Sequence, residues 1–313
     1  MKKYLLIFAM IAIVAFSYAA CGSGDDTTAA AQTTTAATTT TEKLTETQPS
    51  GVAIGDVAAA DSPVDRFASH PALLLWEDSA AIPGATDGMT APTVVPYLSE
   101  GDAGVMVLLQ GTSSDGGYYI SEGAPVAEYL NSLGYDVFIC KYRLTDSYTD
   151  AVVDDVRRTV RYVRSHAEDF GVAGKKTALV GFGTGALLAH IESCDVALGA
   201  PAADAIDALD AKPDITLLFN PDMAPADGMF ASAAPVSAPE RNYRVGVYYD
   251  SKLPRAGDVL RFCFDLMNQH KLLYAEVHGI DSTETYKDGG DRAESYATLY
   301  EMMNNYLKLY KFN

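Results

Sequence analysis

The residues from Thr177 to His190, TALVGFGTGALLAH, have the spacing of a turn that presents a catalytic nucleophile. A short apolar run, three alternate glycines and then helix-forming residues predict a strand over Thr177–Val180, a glycine turn and a helix from Thr184. In the pattern G-x-S-x-G, the middle serine attacks an acyl carbon. Here the middle residue is Gly183, which has no side chain. The turn is therefore predicted without the nucleophile that gives such turns their chemistry.

The chain around this turn alternates between predicted strands and helices, and several strands are continuous apolar runs, typical of strands covered on both faces. The predicted strands are Leu73–Trp76, Thr93–Leu98, Val105–Gln110, Asp136–Tyr142, Thr177–Val180, Ile215–Asn220, Arg244–Tyr249 and Leu273–His278. The predicted helices are Glu122–Leu133, Thr149–Phe170, Thr184–Ser193, Gly257–Lys271 and Arg292–Leu309. This alternation predicts an α/β protein with a mostly parallel, doubly wound sheet and helices on both faces. Functional groups are then expected on loops at the carboxyl ends of the strands.

Two of the predicted helices have one apolar face, because their apolar residues recur at three- and four-residue steps. In the helix Thr149–Phe170 these residues are Val152, Val153, Val156, Val160, Val163 and Ala167. In the helix Arg292–Leu309 they are Tyr296, Leu299, Met303, Tyr306 and Leu307. Both helices are expected to pack against the sheet.

The first 21 residues have the features of an export signal. Lys2 and Lys3 precede the apolar stretch Leu5–Phe16, which is too short for a membrane span, and small residues precede Cys21. This segment resembles a bacterial lipoprotein signal, in which cleavage leaves Cys21 as the lipidated first residue. The alternative is an ordinary secretory signal cleaved near Ala20. Either signal places the mature protein outside the cytoplasm, and the first anchors it to the bacterial cell membrane through the lipid on Cys21.

Residues 22–62 are rich in Thr and Ala and contain few of the large apolar residues that build a core. We therefore expect a disordered tether between the anchor and a folded part. Residues 63–313 remain, and their length suits one α/β domain.

The chain carries 23 basic and 41 acidic residues, for a net charge of −18. Such a surface repels nucleic acid and anionic lipid, so no nucleic-acid partner is expected, and it weakly favours neutral or cationic ligands. Apart from Cys21, the cysteines are Cys140, Cys194 and Cys263. Three cysteines without close spacing argue against a disulfide framework or a zinc site and favour buried thiols, although one disulfide pair stays open.

Several segments together resemble the α/β-hydrolase esterases described as acetyl-xylan esterase or lipase-like proteins, and the resemblance spans nearly all of the domain. The most specific match is EGAPVAEYLNSLGYDVFICKYRL, which resembles the family's Glu-Gly, helix, strand and Tyr-Arg-Leu block. Further matches are LLLWEDSAAIPGA, DAVVDDVRRTVRYVRSHAEDFGV, VYYDSKLP, YAEVH and GFGTGA, the last standing where the family has GFSAGG. The resemblance implies the α/β-hydrolase fold and a serine carboxylesterase ancestry.

The resemblance also implies where a catalytic triad of serine, histidine and acid would lie. The serine position falls on Gly183 and the acid position on Asp250, after a predicted strand. The histidine is expected on the loop near Ser282–Thr285, which contains none. His278 belongs to the last predicted strand. Asp250 is equally well explained as a loop residue that accepts backbone hydrogen bonds.

The other histidines, His70, His166, His190 and His270, match no catalytic position and are expected at the surface or at helix ends.

The family's glycine-rich oxyanion loop corresponds to Gln110–Tyr118. Backbone N–H groups there face the developing oxyanion. In this chain the order of the glycines in the loop is changed, and Asp115 adds a negative charge. The oxyanion and cleft positions fall on Gly111, Thr112, Ser113 and Thr184. Asp115 has an ordinary role as a turn residue before Gly116. Thr184 begins a helix and is expected to offer its backbone N–H rather than its hydroxyl.

Loss of the serine and of the loop histidine predicts a protein that is inactive as a serine esterase. Together with the export signal and the resemblance, it indicates a membrane-anchored hydrolase-fold protein that binds a glycan or an acylated small molecule in the cleft where the family binds its substrate. The alternatives are a working carboxylesterase with an atypical nucleophile and a purely structural or interaction protein. For a binding cleft, the expected aromatic lining is Trp76, Tyr118, Tyr119 and Tyr286. No cofactor is expected, and the acidic run Asp281, Glu284, Asp288 and Asp291 lacks the spacing of a calcium loop, so no metal is expected either.

Overall fold

A computed structural model describes residues 45–46, 70–86, 89–112, 117–145, 150–193, 202, 204–222, 245–250, 256–268, 272–278, 303–304, 307–308 and 312. The predicted signal peptide with Cys21, most of the predicted tether, residues 113–116 and the acidic run at 281–291 lie outside these residues. Among the described helices, none is long and apolar enough to cross a membrane.

An eight-stranded sheet forms the centre of the described fold, in the order β10-β9-β8-β7-β4-β6-β3-β2. The strands are β2 Leu73–Leu74, β3 Thr93–Tyr97, β4 Val105–Leu109, β6 Asp136–Lys141, β7 Thr177–Phe182, β8 Ile215–Phe219, β9 Val245–Asp250 and β10 Leu272–His278. All neighbours from β10 to β6 pair in parallel, whereas β3 pairs antiparallel with both β6 and β2. The prediction of a mostly parallel sheet is confirmed.

In the described residues, helices lie in four of the connections between the parallel strands, namely β4 to β6, β6 to β7, β7 to β8 and β9 to β10. The helices are α1 Ala124–Ser132, α2 Asp150–Ser165, α3 Ala167–Phe170, α4 Thr184–Ser193 and α5 Ala256–Asn268, and short 3-10 turns lie at Ser79–Ala81 and Ile120–Glu122. One long helix was expected over Thr149–Phe170, but His166 has φ −109° and ψ 24°, and this non-helical conformation separates α2 from α3.

Side chains on the two faces of the sheet enter two separate hydrophobic cores, because successive residues of a strand point to opposite faces. In β4, Val107 lies in the core that contains α2, α4 and α5, whereas Met106 and Leu108 lie in the core that contains α1. Met303 and Leu307, from the last predicted helix, are buried in this second core. Helices therefore cover both faces, and the predicted apolar face of α2 is confirmed by the burial of Val152, Val153, Val156, Val160 and Val163.

A second, two-stranded sheet lies outside the main one. Its strands are β1 Thr45–Glu46 and β5 Tyr118–Tyr119, which pair antiparallel. Thr45 and Glu46 fall within the segment 22–62 that the sequence predicts to be disordered, so at these two positions the structure shows backbone pairing instead. The physical reason is that β5 offers a strand edge to which an extended segment can pair.

Candidate functional site

The turn between β7 and α4 has the geometry of a strand-to-helix elbow. β7 continues through Gly181 and Phe182, two residues further than predicted, so the turn itself consists of Gly183 alone. Gly183 has φ +51°, in the left-handed region. Its N–H donates to the carbonyl of Phe219 at 3.0 Å, and its carbonyl accepts the N–H of Leu187 at 3.3 Å. The end of β8 and the first turn of α4 thus hold the elbow from both sides.

The two flanking glycines are required by close packing. A Cβ at Gly181 would lie 2.4 Å from the carbonyl oxygen of Gly185, and a Cβ at Gly185 would lie 2.5 Å from that of Leu109. No side chain fits at such distances, so these glycines let α4 approach β7 and β4. The sequence prediction of a tight strand-turn-helix is confirmed, and these contacts are its physical cause.

Gly183 differs from its neighbours because space is available at its Cα. The nearest heavy atom to a Cβ built there is the Cα of Gly111, at 3.8 Å, an ordinary van der Waals distance. The position is half-buried. The elbow could therefore accommodate a serine side chain sterically, but the sequence supplies a glycine and no atom that could attack a carbonyl.

Gly111 and Thr112 form the wall opposite the elbow. The Thr112 Oγ1 hydroxyl lies 3.4 Å from Thr184 Oγ1, at the long limit of a hydrogen bond. Thr112, Gly183 and Thr184 are half-buried and Gly111 is buried. The structure therefore brings together four of the residues that the sequence assigned to the site. Ser113 lies outside the described residues.

A buried polar network supports this wall from below. The backbone N–H of Gly111 donates to Glu122 Oε2 at 2.8 Å, and Lys141 Nζ donates to Gln110 Oε1 at 2.5 Å. The Tyr142 hydroxyl donates to the carbonyl of Gln110 at 2.6 Å. Glu122, Gln110 and Lys141 are each at most 4 % exposed. Buried polar groups must be hydrogen-bonded to be tolerated, so this network fixes the backbone that lines the cleft.

The sequence predicts Glu122 as the start of a helix and indicates no role for Lys141 or Gln110. Glu122, Lys141 and Tyr142 all belong to the segment Glu122–Leu144, which carries the most specific family resemblance. The available signal was Lys141, a basic residue at the end of an apolar, strand-forming run, where a buried charge is costly unless it is paired. That segment also contains Arg143, whose Nη2 lies 2.5 Å from Asp155 Oδ1 of α2 within a fully buried ion pair. The resemblance therefore rests on residues that build the scaffold.

Asp250 ends β9, at the carboxyl edge of the sheet, where the acid was predicted. In the parallel register its partner is His278, the last residue of β10. The backbone therefore places the predicted acid and the histidine of the last strand side by side at the edge where the elbow lies, and the side chains of both are outside the described part of the structure. The prediction that His278 belongs to the strand is confirmed.

The other described histidines lie away from this edge. His190 was expected at the surface or at a helix end, and this is wrong: it is fully buried in α4, with its ring 4.7 Å from that of Phe262. The α4 helix packs against β7, β8 and α2, and Phe262 of α5 lies against His190, so the residues of α4 after Thr184 are all buried. His166 and His70 are half-buried, and His70 stacks on Tyr97 at 3.8 Å. His270 is outside the described residues.

Two of the aromatic residues expected to line a cleft do not line one. Trp76 is 3 % exposed beneath the guanidinium of Arg158, and Tyr118 is fully buried with its hydroxyl on the carbonyl of Tyr142. Tyr119 is half-buried, and its ring lies within 3.4 Å of the Cβ position of Gly111. Of the residues expected to line a cleft, Tyr119 is the described one whose partial exposure still allows that role. Tyr286 lies outside the described residues.

Within the described residues, no group of three or more His, Cys, Asp or Glu side chains is arranged to hold a metal ion. Cys140 and Cys263 are free and buried, as predicted for buried thiols, and burial raises the pKa of the Cys263 thiol to about 12.

Comparison with known proteins gives a family model and a set of solved structures. The BD-FAE family model matches residues 95–199, which include β4, β6, β7, the elbow and α4. The chain is similar to an acetyl ester-xyloside bifunctional hydrolase from Caldicellulosiruptor lactoaceticus, with 18 % identity and a TM-score of 0.61 over 78 % of this chain and 97 % of that one. It is also similar to esterase 2 of Thermogutta terrifontis, with 16 % identity and a TM-score of 0.60 over 79 % and 96 % of the two chains.

No curated protein sequence matched the chain. At these identities the solved structures establish the fold alone.

Proposed function

We propose that this protein is lipid-anchored and extracytoplasmic and that it does not act as a serine esterase. The α/β-hydrolase fold and the match to an esterase-like family are its starting point. In this proposal, the surface at the family's cleft position, formed by Gly111, Thr112, Gly183 and Thr184, binds a neutral glycan or acylated sugar. No cofactor takes part.

The observation that carries the proposal is the glycine at the elbow. Acyl transfer by a serine enzyme begins when the serine oxygen attacks the ester carbon, while a histidine removes its proton. Gly183 provides no oxygen, and the chain contains no histidine after His278. With neither group in its usual place, the covalent acyl-enzyme step has no starting atom.

Thr184 does not replace the missing serine in this geometry. It is the first residue of α4, and its hydroxyl lies 3.4 Å from the Thr112 hydroxyl. The two hydroxyls therefore lie next to each other beside the elbow. Such an arrangement suits recognition of a hydroxyl or carbonyl on a ligand.

The chemistry of the cleft and of the chain supports a neutral ligand. Two threonine hydroxyls and the ring of Tyr119 offer hydrogen bonds and a stacking surface, which are groups that proteins use to bind uncharged polyhydroxyl molecules. The net charge of −18 disfavours anions. The printed description of the Caldicellulosiruptor protein as an acetyl ester-xyloside hydrolase adds acylated pentose sugars to the candidates.

Binding of acetylated xylo-oligosaccharides by isothermal titration calorimetry tests this proposal. Thr112→Val and Thr184→Val each remove one hydroxyl and should weaken binding about fivefold, since a hydrogen bond contributes about 1 kcal/mol. Thr90→Val, at an exposed threonine outside the cleft, is the matched control and should bind as the unaltered chain does. No binding by any chain, or equal weakening by Thr90→Val, would contradict the assignment of the cleft.

The second candidate is an active carboxylesterase with an atypical nucleophile. The observation that favours it is the pairing of Asp250 with His278 at the ends of β9 and β10. An acid and a histidine at neighbouring strand ends are the two groups that would orient and deprotonate a hydroxyl. Under this alternative, His278→Gln abolishes hydrolysis of small esters while the fold remains intact.

Anchoring through Cys21 is supported by Lys2, Lys3 and the apolar stretch Leu5–Phe16. Metabolic labelling with radioactive palmitate in a bacterial host should label the full chain but not a Cys21→Ser variant. If cleavage instead occurs near Ala20 by an ordinary secretory signal, neither chain is labelled, and the protein is released from the membrane fraction.

A further inference from the structure

The short strand β5 has two edges, and the wall of the cleft uses one of them. The N–H of Tyr119 donates to the carbonyl of Gly111 at 3.1 Å, and the carbonyl of Tyr119 accepts Gln110 Nε2 at 2.8 Å. Both backbone groups of Tyr119 therefore face the Gln110–Thr112 wall. Because backbone groups alternate sides along a strand, the N–H and C=O of Tyr118 face the opposite, outer edge.

The outer edge is where β1 pairs. Glu46 is the register partner of Tyr118, and Thr45 is the partner of Tyr119. Since the backbone groups of Tyr118 face outward, Glu46 and Tyr118 form the pair that exchanges both N–H···O bonds, whereas the N–H of Thr45 points away from β5. The pairing of β1 is thus specific in register, although it involves only two residues.

The template for this pairing is rigid. Tyr118 is fully buried, its hydroxyl donates to the carbonyl of Tyr142, and its ring lies 4.7 Å from Lys141 Nζ and edge-on to the ring of Tyr142. The edges of β-strands bind extended segments through their main chain. A fixed, outward-facing edge beside the cleft is therefore a strand-docking site.

We propose that the outer edge of β5 is a docking site for the chain's own segment around Thr45–Glu46, which ties the predicted tether to the rim of the cleft. The docked segment completes a small antiparallel sheet with Tyr118 and Thr112, which bridge each other. Because the docked segment and the cleft wall then belong to one small sheet, the position of the tether affects the backbone of the wall. This inference does not depend on what the cleft binds.

Docking also shortens the reach of an anchor at Cys21. From Cys21 to residue 63 a fully extended chain spans about 140 Å, whereas from Cys21 to Thr45 it spans about 80 Å, at about 3.4 Å per residue. Docking at Thr45 therefore shortens the longest possible connection between the anchor and the folded part of the chain.

Hydrogen exchange on the full chain tests the docking directly. Glu46→Pro removes the N–H that donates to the carbonyl of Tyr118 and so weakens docking of the segment. Because the Glu46 carbonyl accepts the N–H of Tyr118 in the docked state, exchange of the Tyr118 amide should then accelerate at least fivefold. Thr45→Pro is the matched control, because the N–H that it removes points away from β5 and an edge strand tolerates proline at such a position. Glu46→Ala keeps the N–H and tests the side chain alone.

Both controls should exchange at Tyr118 as the unaltered chain does, and the buried amide of Val107 in β4 should stay slow in every chain, which shows that the domain is folded. If Tyr118 exchanges at the same rate in Glu46→Pro and in the unaltered chain, the segment does not dock. If Thr45→Pro accelerates exchange as much as Glu46→Pro does, the proposed register is wrong. A synthetic peptide of residues 41–50 should restore slow exchange in Glu46→Pro, and failure to do so would also contradict the proposal.

Discussion

Replacing Gly183 by serine should destabilise the fold through backbone strain rather than through crowding. Gly183 has φ +51°, and a residue with a Cβ costs about 1–2 kcal/mol in this region. The built Cβ meets nothing closer than 3.8 Å, so no overlap adds to that cost. We therefore expect Gly183→Ser to lower the free energy of unfolding by about 1–2 kcal/mol. In a domain of this size, each kcal/mol lowers Tm by about 2–4 °C.

Equilibrium unfolding in urea, with thermal scans in parallel, measures this effect. Gly183→Ala carries the same strain without a hydroxyl and should match Gly183→Ser. Gly185→Ala is the contrasting variant, because its Cβ would lie 2.5 Å from the carbonyl oxygen of Leu109 and α4 would have to move. It should cost clearly more than either change at Gly183. An unchanged or higher stability of Gly183→Ser, or a cost equal to that of Gly185→Ala, would refute the strain argument.

Three further predictions concern buried groups. Glu122→Ala leaves the buried N–H of Gly111 without its carboxylate and should lower the free energy of unfolding by about 1–3 kcal/mol in urea titrations, whereas Glu122→Gln retains an acceptor and should cost less. Arg143→Met leaves the Asp155 carboxylate buried without its cation and should cost about 3–5 kcal/mol, while Asp204→Asn, at a 42 % exposed partner of Arg158, should cost less than about 1 kcal/mol. Equal losses from the last two variants would count against the role of burial. In a chain with Cys21→Ser and Cys194→Ser, Cys140 and Cys263 should not react with Ellman's reagent until urea is added, because burial raises the pKa of both thiols. Rapid reaction of the folded chain would show that these positions open.

The fold could be predicted from the sequence because its signals are local. Apolar runs and the valine face of α2 define buried strands and an amphipathic helix without reference to distant residues. The elbow could also be located, since the glycines at 181 and 185 are dictated by contacts within one strand-turn-helix unit. The break at His166 and the added strand residues Gly181 and Phe182 depend on tertiary packing, which periodicity does not report.

The support of the site could not be predicted, because it joins residues far apart in the chain. Glu122 reaches Gly111 and Lys141 reaches Gln110 across different strands and turns. The burial of His190, Trp76 and Tyr118 likewise follows from which element covers them. Pairing of Thr45–Glu46 with β5 is the extreme case, since the segment lacks the apolar alternation by which a half-buried strand is recognised. Only the fold reveals the edge that receives it.

Hydrolysis of p-nitrophenyl acetate by the purified, folded chain shows whether the protein still cleaves esters. A serine esterase of known activity serves as the positive control, and the urea-denatured chain sets the background rate. We expect a rate equal to that background, because Gly183 supplies no nucleophile. Saturable turnover above background that is lost in His278→Gln would contradict the account and establish the chain as an esterase with an atypical nucleophile.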